Sequence, residues 1–114
     1  MKFTLLITLL MFLSLVVVQG CKTKEEAAAS KALNSAEQGA AIGQLKLGKM
    51  YAAGEGVEQD NIYAYMWVSA AVIQGLGDSA TDFKNELAKK MTASQIEIAD
   101  NLYIECKKKS YKGC

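Results

Sequence analysis

The 114-residue sequence contains no histidine and no proline. Without histidine, Ser–His and Cys–His nucleophile pairs and the common zinc ligand sets are excluded. Gly54-Glu55-Gly56 is not a phosphate-cradling loop, because no Lys-Ser or Lys-Thr follows it. No serine is followed three residues later by lysine, so the penicillin-recognising nucleophile motif is missing. No catalytic residues, metal ligands or cofactor-binding motif can therefore be named, and the expectation is a chain that is not an enzyme and takes no cofactor. Charge of one sign is also lacking. Once Lys2 is set aside with the leader, basic and acidic side chains balance at twelve each, which gives no reason to propose nucleic acid as a partner. Lys107, Lys108, Lys109 and Lys112 cluster near the C-terminus, where they complement a helix dipole and face solvent.

The longest apolar run lies within the first twenty residues. Lys2 opens the chain, and residues 5–18 are uncharged, interrupted only by Thr8 and Ser14. That run is shorter than the roughly 20 residues a spanning helix needs. A positive start, a short apolar core and a small residue before a cut define a cleaved signal peptide. Val18 is a poor minus-three residue for ordinary signal peptidase, whereas Val18-Gln19-Gly20-Cys21 resembles a bacterial lipobox. That resemblance implies a diacylglycerol thioether on Cys21, with cleavage before it. Gln19 departs from the usual small or hydroxyl residue. A structural or free thiol at Cys21 is the alternative. Of the three cysteines, lipid on Cys21 leaves Cys106 and Cys114 as an even pair in an oxidising compartment. Two free thiols are the alternative, which export disfavours.

The rest is rich in Ala, Leu, Lys, Glu and Gln, good helix formers. Five helices are predicted: 24–37, 41–53, 60–74, 79–91 and 93–109. The first has few large apolar residues and could be part tether. Gly39 and Gly54 suit helix ends, Asp60 suits an N-cap, and Thr92-Ala93-Ser94-Gln95 reads as a capping box. Ala80, Phe83, Leu87 and Met91 form one apolar stripe; Ile96, Ala99, Leu102, Tyr103 and Cys106 form another. The third helix is apolar nearly all round and should be central, with Ala64 and Trp67 in the core. Gly48, mid-helix, costs about 1 kcal/mol relative to Ala. Its expected use is close approach of a helix near Ala64, Ala70 and Ala71. Short connections make antiparallel neighbours, so the fold class is all-α, a stack of αα-hairpins.

Leu47, Gly48 and Tyr51, then Gly54, Gly56 and Val57, Asp60, Ala64, Trp67, Ala70 and Ala71, and Gln74-Gly75 together carry a known pattern. The stretch resembles one unit of the Sel-one-like repeat family, relatives of the tetratricopeptide repeat. Gln38-Gly39 recurs as Gln74-Gly75, and the following copy decays: Lys84 replaces Gly48 and Leu87 replaces Tyr51. With the signal peptide at 1–20 and a tether or first helix at 21–35, the resemblance implies one full repeat (36–75) and degenerate capping helices (76–114). Solenoids usually need three or more repeats to bury a continuous core, so flanking helices, a disulfide or a partner must supply contacts. Cysteine-rich exported members carry Cys pairs at this spacing, which implies a Cys106–Cys114 disulfide joining the end of one hairpin to the start of the next. Gly43, in place of a common Ala, and Asn61, in place of an aromatic, are expected to loosen the hairpin slightly.

In tetratricopeptide-like folds the first helix of each repeat lines the concave groove. By that analogy Gln44 and Lys49 are candidate contacts for an unidentified protein or peptide partner. The expected function is a non-enzymatic protein-interaction module, membrane-anchored through its N-terminal lipid and facing the periplasm. Lys22 lacks the acidic character expected of inner-membrane retention and points to the outer membrane. The alternatives are an envelope protein that binds or hydrolyses β-lactams or peptidoglycan-like substrates, as cysteine-rich members have been linked to, and a lipid-free secreted factor acting on a host.

Overall fold

The computed structural model describes residues 23–114. The expected signal peptide (residues 1–20), Cys21 and Lys22 lie outside the described residues. Five helices follow in order: α1 Lys24–Glu37, α2 Ala41–Ala53, α3 Asn61–Ile73, α4 Gly77–Lys89 and α5 Ala93–Lys108. The described residues contain no strand, and the architecture is the expected all-α stack of hairpins.

The helix ends follow local chemistry. Thr23 opens α1 with a capping box: its hydroxyl accepts from Glu26 N–H at 3.2 Å, and its own N–H donates to Glu26 Oε2 at 3.1 Å. Glu25 and Glu26 sit in the first turn, where the helix dipole favours negative charge. Asp60 Oδ1 accepts from Ile62 N–H at 2.9 Å and Tyr63 N–H at 3.1 Å, which makes it the N-cap of α3. Thr92 and Gln95 form the second capping box, with bonds of 3.1 and 2.9 Å. α4 departs from the expected 79–91. It opens at Gly77 after Leu76, which makes no side-chain cap. It stops at Lys89, because Lys90 and Met91 N–H donate to Leu87 and Ala88 carbonyls three residues back and tighten the last turn.

α1 packs as a core helix and not as a tether. Ala29, Ala32 and Ala36 recur on one face and are buried with Leu47, Met50, Met66, Trp67 and Cys106. Small side chains there let α1 and α2 approach closely. A Cβ at Gly43 would lie 3.0 Å from Ala36 N and 2.6 Å from Ser35 Cβ. Glycine at 43 therefore permits the approach of α1 and does not loosen the hairpin. Gly48 meets α3 in the same way: a Cβ there would lie 2.5 Å from Val68 Cγ2 and 3.0 Å from Ala64 O. Ala64 and Val68 are thus its neighbours, whereas Ala70 and Ala71 are buried elsewhere along α3.

α3 is central, with residues 64 to 71 all buried. Met66 and Trp67 face the α1–α2 cluster. Ala64, Tyr65 and Val68 face a second cluster with Leu87 of α4 and Ala99 of α5. The expected stripes of α4 and α5 are the inward ones: Ala80, Leu87, Ala99 and Cys106 are buried, and Phe83, Met91, Ile96, Leu102 and Tyr103 are half-buried.

Candidate interaction surface

The repeat-signature residues are used inside the fold. Leu47 is buried, and Tyr51 stacks on Tyr63 with ring centroids 5.4 Å apart. Gly54 caps α2 in the left-handed region at φ 70°. Gly56, at φ 72°, lies so close to α1 that a Cβ would run into the Glu25 carbonyl. Val57 packs on the α1–α2 cluster, and Trp67 is 1 % exposed at its centre. Asn61 Oδ1 accepts from Gln59 Nε2 at 2.8 Å, a polar loop contact where an aromatic residue was the common choice. Tyr63 remains half-buried, while Met66 is fully buried.

Gln44 is not a partner contact. Its side chain is fully buried. Nε2 donates to the Ala36 carbonyl at 3.3 Å, and Oε1 accepts from Gln74 Nε2 at 2.5 Å. The amide thus ties the end of α1 to the end of α3 through the start of α2. Helical analogy places position 44 on the groove side of α2, but the turn after α1 and the C-terminal segment cover it. Gln44→Met keeps the volume and removes the polar bridge. It is expected to lower unfolding free energy by about 1–2 kcal/mol, read as a shift of the urea midpoint; an unchanged midpoint would show that the bridge contributes nothing.

Cys106 and Cys114 are joined by a disulfide, with Cα atoms 5.7 Å apart. It ties the end of α5 to the segment after it, not to a following hairpin. That segment turns through Ser110 (φ 53°) and Tyr111 (φ 65°). It lays Tyr111 against Trp67, with ring centroids 6.4 Å apart, and beside Gly39. Burial pushes the Tyr111 hydroxyl above its ordinary pKa, the neighbouring Tyr103 adds to this, and Lys107 and Gln44 oppose it. Burial, with Tyr63 and Asp60 nearby, likewise raises Tyr51. Burial and Asp100 raise Tyr65.

Lys49, the other candidate contact, is exposed. Its Nζ sits 5.6 Å from the centroid of the Phe83 ring, close enough for a cation–π attraction. Lys84 Nζ lies 5.2 Å from the Tyr65 centroid in the same manner. Lys49 also lines a cleft of about 500 Å³ between α1 and α2, with Lys24, Glu25, Ala28, Lys46, Met50 and Glu55. Lys24 and Lys46 were not among the expected contacts. The spacing of Ile42, Lys46 and Lys49 along one side of α2 was available as a signal, since it marks the face opposite Leu47 and Gly48. A second, smaller cleft of about 110 Å³ lies beside the disulfide, between Tyr63 and Met66 of α3 and Leu102 and Glu105 of α5. Among the described residues no group of three or more His, Cys, Asp or Glu could hold a metal ion. No described helix is long and apolar enough to cross a membrane.

No protein-family model and no curated protein matches the sequence. Among solved structures, the chain is similar to a protective antigen present in uropathogenic Escherichia coli strains that displays an SLR, or Sel-one-like repeat, fold. The TM-score is 0.70 at 30 % sequence identity, and the match covers 86 % of this chain. It covers 22 % of that protein, so the chain spans about a fifth of its neighbour's length.

Proposed function

The chain belongs to the Sel-one-like repeat family, and from that footing we propose that it is a non-enzymatic interaction module held at an envelope membrane by lipid on Cys21. The fold suggests a protein-interaction role. The observation that carries the reading is the use of the signature residues. They cap helices, allow close backbone approach or fill the core, which leaves the α1–α2 face with its exposed Lys46 and Lys49 open for a partner. The lipobox-like Val18-Gln19-Gly20-Cys21 supports the anchor. Cys21 stands two residues before Thr23, which opens α1. The chain reaches at most about 7 Å over that interval, so a lipid there would hold the N-terminal end of α1 close to the membrane surface. The periplasmic face, and the outer membrane in view of Lys22, belong to the same proposal.

Intact-mass analysis of the mature protein tests the anchor. The expected species begins at Cys21 and carries diacylglycerol; a chain beginning elsewhere, or an unmodified Cys21, overturns it. Crosslinking in intact cells followed by pull-down is expected to yield an envelope protein. Turnover of the β-lactam nitrocefin by the purified protein would overturn the non-enzymatic reading.

A further inference from the structure

We propose that the cleft between α1 and α2 docks an acidic peptide segment, with a carboxylate held among Lys24, Lys46 and Lys49 and a neighbouring apolar side chain resting on Ala28 and Met50. The proposal rests on the interaction-module reading and names its partner's chemistry.

The cleft offers two kinds of surface at once. Ala28 and Met50 form an apolar floor between the helices, and lysines stand on both walls, Lys24 on α1 and Lys46 and Lys49 on α2. The ion pairs among the described residues are Lys89–Glu86 and Lys108–Glu105. Among the described residues, the three cleft lysines therefore have no carboxylate within ion-pair distance. Three ammonium groups face two carboxylates, Glu25 and Glu55, which leaves the cleft with an excess of positive charge. A ligand with one or two carboxylates complements this site.

The same geometry argues against a polyanionic surface. The loop after α2 packs at Gly56 onto the Glu25 backbone, and Glu55 lines the cleft beside Glu25, at the end of α1 that also carries Glu26. A sheet of lipid phosphates approaching the lysines would also meet these carboxylates. A short peptide with one or two carboxylates sets far less negative charge against Glu25 and Glu55 than a continuous phosphate surface does.

The test is panning of phage-displayed random twelve-residue peptides on the detergent-purified protein, followed by affinity measurement with the selected synthetic peptides. The expected sequences place Asp or Glu beside Leu, Ile, Met or Phe. The double variant Lys46→Glu/Lys49→Glu is expected to bind them at least tenfold more weakly, and Lys46→Gln about threefold more weakly. Lys89→Glu, outside the cleft, should bind as the unaltered protein does. Raising NaCl from 0.15 to 0.5 M should weaken binding several-fold, as screening between charges requires. Circular dichroism checks that each variant is folded, and Lys46→Gln decides the matter if the double variant is not. Selection of basic or uncharged sequences, or undiminished binding by a folded variant, overturns the proposal. So does displacement of the peptides when phosphatidylglycerol, but not phosphatidylcholine, is added to the micelles, because the cleft would then take lipid phosphate. If panning yields nothing while pull-down yields an envelope partner, the interaction-module reading stands and the acidic-peptide site falls. If both yield nothing, both fall.

Discussion

Trp67→Ala is expected to lower the unfolding free energy by about 3–5 kcal/mol, the largest effect of any single side-chain truncation in the chain. Trp67 is 1 % exposed and is the largest fully buried side chain. It packs with the α1 alanines, Leu47 and Met50 of α2 and Cys106 of α5, and Tyr111 lies against it. Truncation therefore leaves a cavity shared by elements from both ends of the chain. A domain of this size has only about 5–15 kcal/mol in total, so the variant should be largely unfolded in mild urea. Urea titration followed by far-ultraviolet circular dichroism measures the loss. A cost below about 1 kcal/mol would mean that the repeat and its flanking helices do not share one core.

Gly56→Ala carries the second large effect, about 2–5 kcal/mol. Two costs add. At φ 72° the backbone is left-handed, which an L-residue adopts at about 1–2 kcal/mol. The new methyl would also run into the Glu25 carbonyl, and relief requires α1 to move away from the loop, an overpacking cost of about 1–3 kcal/mol. Gly75→Ala is the matched control. Its φ is 91°, yet nothing lies within 4 Å of its Cβ position, so only the backbone cost applies. Hydrogen exchange should show the difference in place as well as size. In Gly56→Ala the α1 amides lose protection first; in Gly75→Ala they keep it. Equal costs in the two variants would show that α1 is not seated on the loop.

Much of this architecture was legible residue by residue. The bounds of α1 and α2 follow from composition and from Gly39 and Gly54, and those of α3 and α5 lie within one residue of expectation. Thr23-Lys24-Glu25-Glu26 is a capping-box sequence as plain as Thr92-Ala93-Ser94-Gln95, yet α1 was expected to be part tether because it carries few large apolar residues. α4 was less legible because Leu76 offers no cap, so Ser79 stood out as a start that backbone bonding does not use. The candidate contacts divided: Lys49 stayed on the surface, and Gln44 went into the core.

The sequence by itself determined the helices, their breaks and their inward stripes, because propensity, capping and periodicity act over three or four residues. It also carried the spaced glycines and aromatics of the Sel-one-like pattern. Only the tertiary structure decided what those residues face. Gln44 is buried because the ends of α1 and α3 converge on it. Gly43 is required because Ser35 lies across it. The alanines of α1 form core and not tether because Trp67 needs a wall that close. Each outcome depends on which helix crosses which, and that is fixed by packing between residues far apart in the chain.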